Sequence, residues 1–275
     1  MLSQASTFSL ENDYSINKKT VPEPFKEEQI KLSKNEANFI NEEGCSFASP
    51  RFVYLQDVLL KSKDREVSEE DLYENNGGTS LVVTTDNKII IASDTRHSSD
   101  YTINSRKMTK IFKIGEFYLA TTGFFADSFE VYTNLMYQVK QYETYSRITL
   151  KALAHLLHNL LYSKRFFPYY SYAILCGFDN GTATVYSYDP VGSYDKTRCR
   201  CNGSSSVMIQ PLLDSWIMGK NFKDFKEPSF SETLELVKKA FDAASERDVK
   251  TKDYLEIYVI EKDSMSHELI PLRKD

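Results

Sequence analysis

Cysteine is scarce in this sequence, with four residues, Cys45, Cys176, Cys199 and Cys201, in a chain of 275. So few cannot frame a disulfide scaffold at this length, and the Cys199-Arg200-Cys201 pair lacks the two-residue gap of a metal-ligand pair. All four are expected as free thiols in a reducing, intracellular compartment. Basic charge is short as well: 34 Lys and Arg against 39 Asp and Glu give a net charge of -5 with no basic stripe, which argues against a nucleic-acid partner. No run approaches the roughly 18 apolar residues of a membrane span. Residues 1–20 have neither the apolar core of a signal peptide nor the basic, acid-poor character of a transit peptide. A soluble protein without a membrane partner is expected.

Ligand-binding signals are equally thin. Gly77-Gly78 leads into a strand and no Gly-Lys-Ser/Thr follows, so the chain carries no phosphate-cradling loop and no cofactor is expected. His155 and His158 are three apart, but no carboxylate lies one turn away, and His97 and His267 have no apparent partners; no metal is expected. The run Gly203-Ser204-Ser205-Ser206 opens a helix, and ordinary serine capping is expected there rather than anion binding.

What is present is a large apolar content, 41% of the residues with 17 Phe and 18 Tyr, enough for a sizeable core. Composition shifts near residue 78. Residues 1–77 are rich in Ser, Asn, Glu and Lys and are expected to form a largely irregular extension or propeptide. Within it, Phe52-Val53-Tyr54-Leu55 with Val58-Leu59-Leu60 is a local apolar cluster that could dock on a neighbour. Residues 78–275 form the folded domain.

In that domain Leu81–Thr85, the turn Asp86-Asn87 and Lys88–Ser93 predict a hairpin too apolar for an exposed sheet. Strands follow at Lys110–Ile114 and Phe117–Thr122. Helical spacing of apolar residues predicts helices over Asp127–Tyr145 and Thr149–Lys164, with Thr149 as N-cap of the second. A second hairpin, Tyr172–Phe178 and Thr182–Tyr188, turns at Asp179-Asn180-Gly181. Helices at about Ser204–Met218 and Ser231–Arg247 precede two last strands, Leu255–Glu261 and Glu268–Leu272. This order predicts an α+β fold, with two antiparallel sheets sandwiched between helix layers in a four-layer αββα arrangement.

Several separated segments then carry chemistry: Gly77-Gly78-Thr79, Ala92-Ser93-Asp94-Thr95-Arg96, Lys110, Thr122-Gly123-Phe124, Gly203-Ser204, and Arg247-Asp248 followed by Thr251. Together they resemble the proteasome β-subunit family, over about residue 75 to the C-terminus. The resemblance implies the N-terminal nucleophile hydrolase version of the sandwich. It also implies a mechanism in which a threonine at the mature N-terminus attacks a peptide carbonyl, its own α-amine takes the proton, and a lysine lowers the cost of ionising the hydroxyl. By motif, Asp94 and Lys110 match the aspartate and lysine, while Ser204, Asp248 and Thr251 match the group that orients the amine, with Thr in place of the usual Ser.

The nucleophile departs from the pattern. Active members begin close to Thr-Thr-Thr-Leu, with the aspartate thirteen residues after the leucine. Leu81 to Asp94 is also thirteen, 94 minus 81, so the displacement lies before the hairpin and the nucleophile position falls on Gly78. Thr79 would be shifted along the strand by about 3.3 Å with its hydroxyl on the opposite face. Catalytic geometry tolerates errors of only about 0.5 Å. Gly78, Thr79, Asp94, Lys110, Ser204, Asp248 and Thr251 are therefore expected as vestigial site positions, with an active threonine endopeptidase using Thr79 as the alternative.

Three more segments, Tyr162–Tyr170, Tyr186–Tyr194 and Met208–Asp214, resemble the non-catalytic sixth β position of the eukaryotic 20S core. That resemblance implies proteasome α and β subunits as partners in a stacked four-ring particle, located in cytoplasm and nucleus. It also implies that trimming of the extension occurs upstream of Gly77. The inserted acidic stretch 61–76 departs from the family's shorter extension. The aromatic run Arg165–Tyr170 is expected to serve a partner surface.

Overall fold

Asp86 and Asn87 adopt positive φ angles of 47° and 54°, the left-handed pair that a tight two-residue hairpin requires. They join β1 (Thr79–Thr85) to β2 (Lys88–Asp94), the pair at the centre of the fold. The computed structural model describes residues 73–99, 101–219 and 222–273. Cys45, the Phe52–Leu60 cluster and most of the acidic stretch 61–76 lie outside the described residues.

Four short strands and three long ones, β3 to β9, come next among the described residues. The small ribbon β3 (His97–Ser99) and β4 (Thr102–Ser105) stands apart from the main sheets. The second sheet is a continuous antiparallel meander of β5 (Ile111–Ile114), β6 (Phe117–Gly123), β7 (Ser171–Asp179), β8 (Thr182–Tyr188) and β9 (Tyr194–Thr197). The first sheet is assembled from distant segments in the order β10-β1-β2-β11-β12. Here β10 is Cys199–Gly203, β11 is Tyr254–Ile260 and β12 is Met265–Pro271. The expected hairpins and closing strands are all found, whereas β3, β4, β9 and β10 lie in segments where the sequence predicted none.

Among the described residues four α-helices cover the sheets: α1 (Phe125–Glu143), α2 (Leu150–Ser163), α3 (Ser206–Leu213) and α4 (Phe230–Arg247). Thr149 caps α2 as expected, its hydroxyl accepting from the Ala152 amide. The third helix is shorter than its apolar pattern predicted. It gives way at Asp214 to a π-helical turn, Asp214–Met218, and ends at Gly219 in the left-handed conformation.

Three apolar layers result. Leu153, Leu157 and Leu161 of α2 pack with Val131 and Leu135 of α1 against Leu119 and Leu175 of the meander. Between the sheets lie Val82, Ile89 and Ile91 facing Ala120, Ile174 and Val185. On the far side of the first sheet Leu81, Val83 and Ala92 meet Phe241 and Val237 of α4 and Ile209 and Leu213 of α3. A buried side chain of this size contributes about 1.5–3 kcal/mol relative to an exposed one, so strands buried on both faces anchor everything attached to their ends. This αββα sandwich places the first residues of β1 at the mouth of the inter-sheet layer.

Candidate active site

The site lies where β1 begins. Gly78 has a φ of +84°, a conformation that a residue bearing a Cβ rarely adopts. A Cβ built there would stand 2.4 Å from both Cε and Nζ of Lys110 and 2.8 Å from Asp94 Oδ1. Position 78 therefore points straight at the Lys110–Asp94 pair, and glycine is the residue that leaves room for it.

That pair is enclosed and fully engaged. Lys110 Nζ donates to Asp94 Oδ1 at 2.9 Å, to the Asp94 carbonyl at 3.0 Å and to the Arg96 carbonyl at 2.7 Å, which uses all three ammonium protons. Asp94 also accepts from the amides of Thr79 at 2.7 Å and Arg96 at 3.0 Å. Complete burial pushes the Asp94 carboxyl above its ordinary value, and the Lys110 charge and these hydrogen bonds pull against that shift.

Thr79 is wholly buried and faces the other way. Its hydroxyl accepts from the Ser205 amide at 3.0 Å and shares a proton with Thr251 Oγ1 at 2.7 Å. Ser204, Asp248 and Thr251 do come together, around that hydroxyl and the Gly78 carbonyl. The Ser204 amide donates to the Gly78 carbonyl at 3.0 Å, and Asp248 accepts from the hydroxyls of Ser204, Ser205 and Thr251 and from the Lys250 amide. Burial alone would raise the Asp248 carboxyl, but hydrogen bonds from Ser204, Thr251, Lys250 and Ser205 outweigh it and hold it below the ordinary carboxylate range. Ser205 is the member that sequence reasoning missed. Instead of making a side-chain cap for α3, it spends its hydroxyl on Asp248, which corrects the expectation of ordinary capping.

The chain leading into Gly78 is part of the body. Asn76 is buried; its amide donates to the Gly123 carbonyl, its side chain accepts from the Phe125 amide at 2.8 Å and donates to the Ser98 carbonyl at 3.2 Å. Lys250 Nζ donates to the Asn75 carbonyl at 2.9 Å, and its stem covers Gly77. A second ion pair braces the loop after α4: Arg96 grips Asp253 through two hydrogen bonds of 2.9 and 3.1 Å, and Arg106 joins at 2.5 Å. Burial acts to raise Asp253, and the Arg96 and Arg106 bonds and charges overcome it, leaving its carboxyl below the ordinary range.

The histidines have other duties. His267, expected to lack a partner, sits 3.1 Å from Glu256 and stacks on Tyr258, because β12 pairs alongside β11. His158 binds the Gly192 carbonyl at 2.8 Å, and both His155 and His158 pack on Tyr194. No cluster of three or more metal-ligating side chains occurs among the described residues. In the aromatic run, Tyr169 is buried, Tyr73 packs on Phe167 and Tyr170, and Phe166 is exposed.

Residues 74–260 match the sequence pattern of the family described as "Proteasome subunit". The chain is 49% identical over 217 residues to the probable proteasome subunit beta type-6 of Encephalitozoon cuniculi, covering 78% of this chain and 74% of that protein. It is 40% identical over 209 residues to proteasome subunit beta type-1 of Danio rerio (74% and 88% covered). Against proteasome subunit beta type-6 of Saccharomyces cerevisiae the identity is 36% over 221 residues (74% and 90% covered). The buried aspartate–lysine pair at the start of β1, the sandwich that holds it and these three likenesses agree: the chain belongs to the proteasome β-subunit family.

Proposed function

We propose that this chain is a non-catalytic β subunit of the 20S core, completing the β ring and shaping the proteolytic chamber beside neighbouring α and β subunits. One observation carries the reading. The residue aimed at the Lys110 ammonium is glycine, without a hydroxyl. The nearest threonine, Thr79, directs its hydroxyl to Ser205 and Thr251 and its amide to Asp94. Nucleophile, proton acceptor and lysine do not converge on one residue, and covalent catalysis by an activated hydroxyl needs that convergence.

The rival is an endopeptidase using Thr79 after cleavage of the Gly78–Thr79 bond. Such cleavage would strip away Asn75–Gly78, with the bonds made by Asn76 and by the Gly78 carbonyl. Treating the purified particle with an epoxyketone and measuring intact subunit masses separates the two. No added mass is expected on this chain, and an adduct at Thr79 would overturn the proposal. N-terminal sequencing of the mature subunit is expected to begin upstream of Gly77, whereas a terminus at Thr79 would count against it.

A further inference from the structure

Beside Gly78 lies a cleft of about 320 Å³, lined by Gly78, Gly203, Gly123, Tyr170 and Tyr172 together with Arg200 and Asn202. Among the described residues Arg200 is the one charged residue lining it, and no carboxylate does. We propose that this cleft holds the C-terminal carboxylate of a peptide, with Arg200 as counter-ion and the Asn202 side-chain amide as hydrogen-bond donor.

Asn202 supplies the first argument. It is 6% exposed, it lines the cleft, and its Nδ2 has no hydrogen-bond partner among the described residues. Its orientation is set, because Arg200 Nε donates to Asn202 Oδ1 at 3.4 Å, and the reverse placement would set two donors against each other. A buried donor without an acceptor is uncommon in folded proteins, so it marks a place where an acceptor is awaited.

Arg200 supplies the second. It stands two residues away on β10, hence on the same side of the strand, and that single long bond leaves both Nη groups without a partner among the described residues. A planar guanidinium with free Nη groups suits a carboxylate, which accepts two parallel hydrogen bonds. The N-terminus of α3 opens at Ser206, which also lines the cleft, and its dipole adds a positive field. Arg200, the Asn202 amide and the α3 N-terminus thus each donate to or attract negative charge.

The size selects the kind of ligand. At about 320 Å³ the cleft is at the lower end of the range for ligand sites, which fits a chain end better than a long segment. Peptide hydrolysis adds water across the bond and leaves one new carboxylate and one new amine. A threonine protease complex thus generates this ligand class with every cut. The inference rests on the non-catalytic reading, since a cleft that cut its ligand would not retain it.

The test uses whole particles whose active threonines have been capped with an epoxyketone. Peptides carrying a benzophenone next to the C-terminus, as free acid or as amide, are irradiated with them and the crosslinks are mapped by mass spectrometry. The acid form is expected to label this chain at the cleft about tenfold more than the amide, and Arg200→Ala should remove the difference. Arg200 is exposed and makes one weak bond, so that variant leaves the fold intact. Equal labelling by both forms, no labelling of this chain, labelling unchanged by Arg200→Ala, or acetate competing as well as the acid peptide would each overturn the inference. An epoxyketone adduct on this chain would instead defeat the non-catalytic reading, so the two failures are distinguishable.

Discussion

Gly78 is constrained twice, by a φ of +84° and by Lys110 at 2.4 Å from where a Cβ would stand. Gly78→Ala is expected to cost about 2–3 kcal/mol through backbone strain and overpacking together, read as a lower denaturation midpoint of the full chain. Lys110→Met should cost about 3–5 kcal/mol, because it leaves the buried Asp94 carboxylate without its counter-charge. Adding Asp94→Asn to that variant should restore part of the loss, and simple additivity of the two would show that the pair is not coupled. The sequence disclosed these positions through spacing, since Leu81 to Asp94 counts along one hairpin. It did not disclose Ser205, whose role depends on a hydroxyl meeting Asp248 across 43 residues.

Elements were readable where local chemistry decides them. The β1–β2 and β7–β8 turns announce themselves by Asp-Asn and Asn-Gly, and Thr149 precedes a clean leucine stripe. Thr149→Ala should lower stability by about 1 kcal/mol, measured by chemical denaturation, as expected when an N-cap hydroxyl is lost. The missed strands have compositions that do not favour strands: β9 is Tyr-Asp-Lys-Thr and β10 is Cys-Arg-Cys-Asn-Gly. Their pairing comes from β8 and β1, which offer ladders regardless of what side chains arrive. For α4 the signal was present and overlooked: Ser229 with Glu232 is a capping box, which sets the start at Phe230 rather than Ser231. Nothing local marks the π-helical turn after Leu213.

For the molecule as a whole, acid is the informative stress. Asp248 and Asp253 are both held below the ordinary carboxylate range, so each contributes stability that is fully present above about pH 4 and is lost as pH falls through its lowered folded value. Asp94 is shifted the other way and opposes them. Asp253→Asn should therefore flatten the fall in denaturation midpoint below about pH 4, and an unchanged slope there would refute the assignment. The Arg96–Asp253 bridge joins residues 157 apart, beyond what one sequence can reveal. The two sheets also differ in when they can exist. On the ribosome the β5–β9 meander is whole once Thr197 has emerged, because its strands pair in chain order. The β1–β2 hairpin, made first, must wait for Gly203 to cover one flank and Ile260 to cover the other. Through most of synthesis these two strands, almost wholly buried in the finished fold, stand open-edged, a state that invites mispairing and calls for a chaperone's cover.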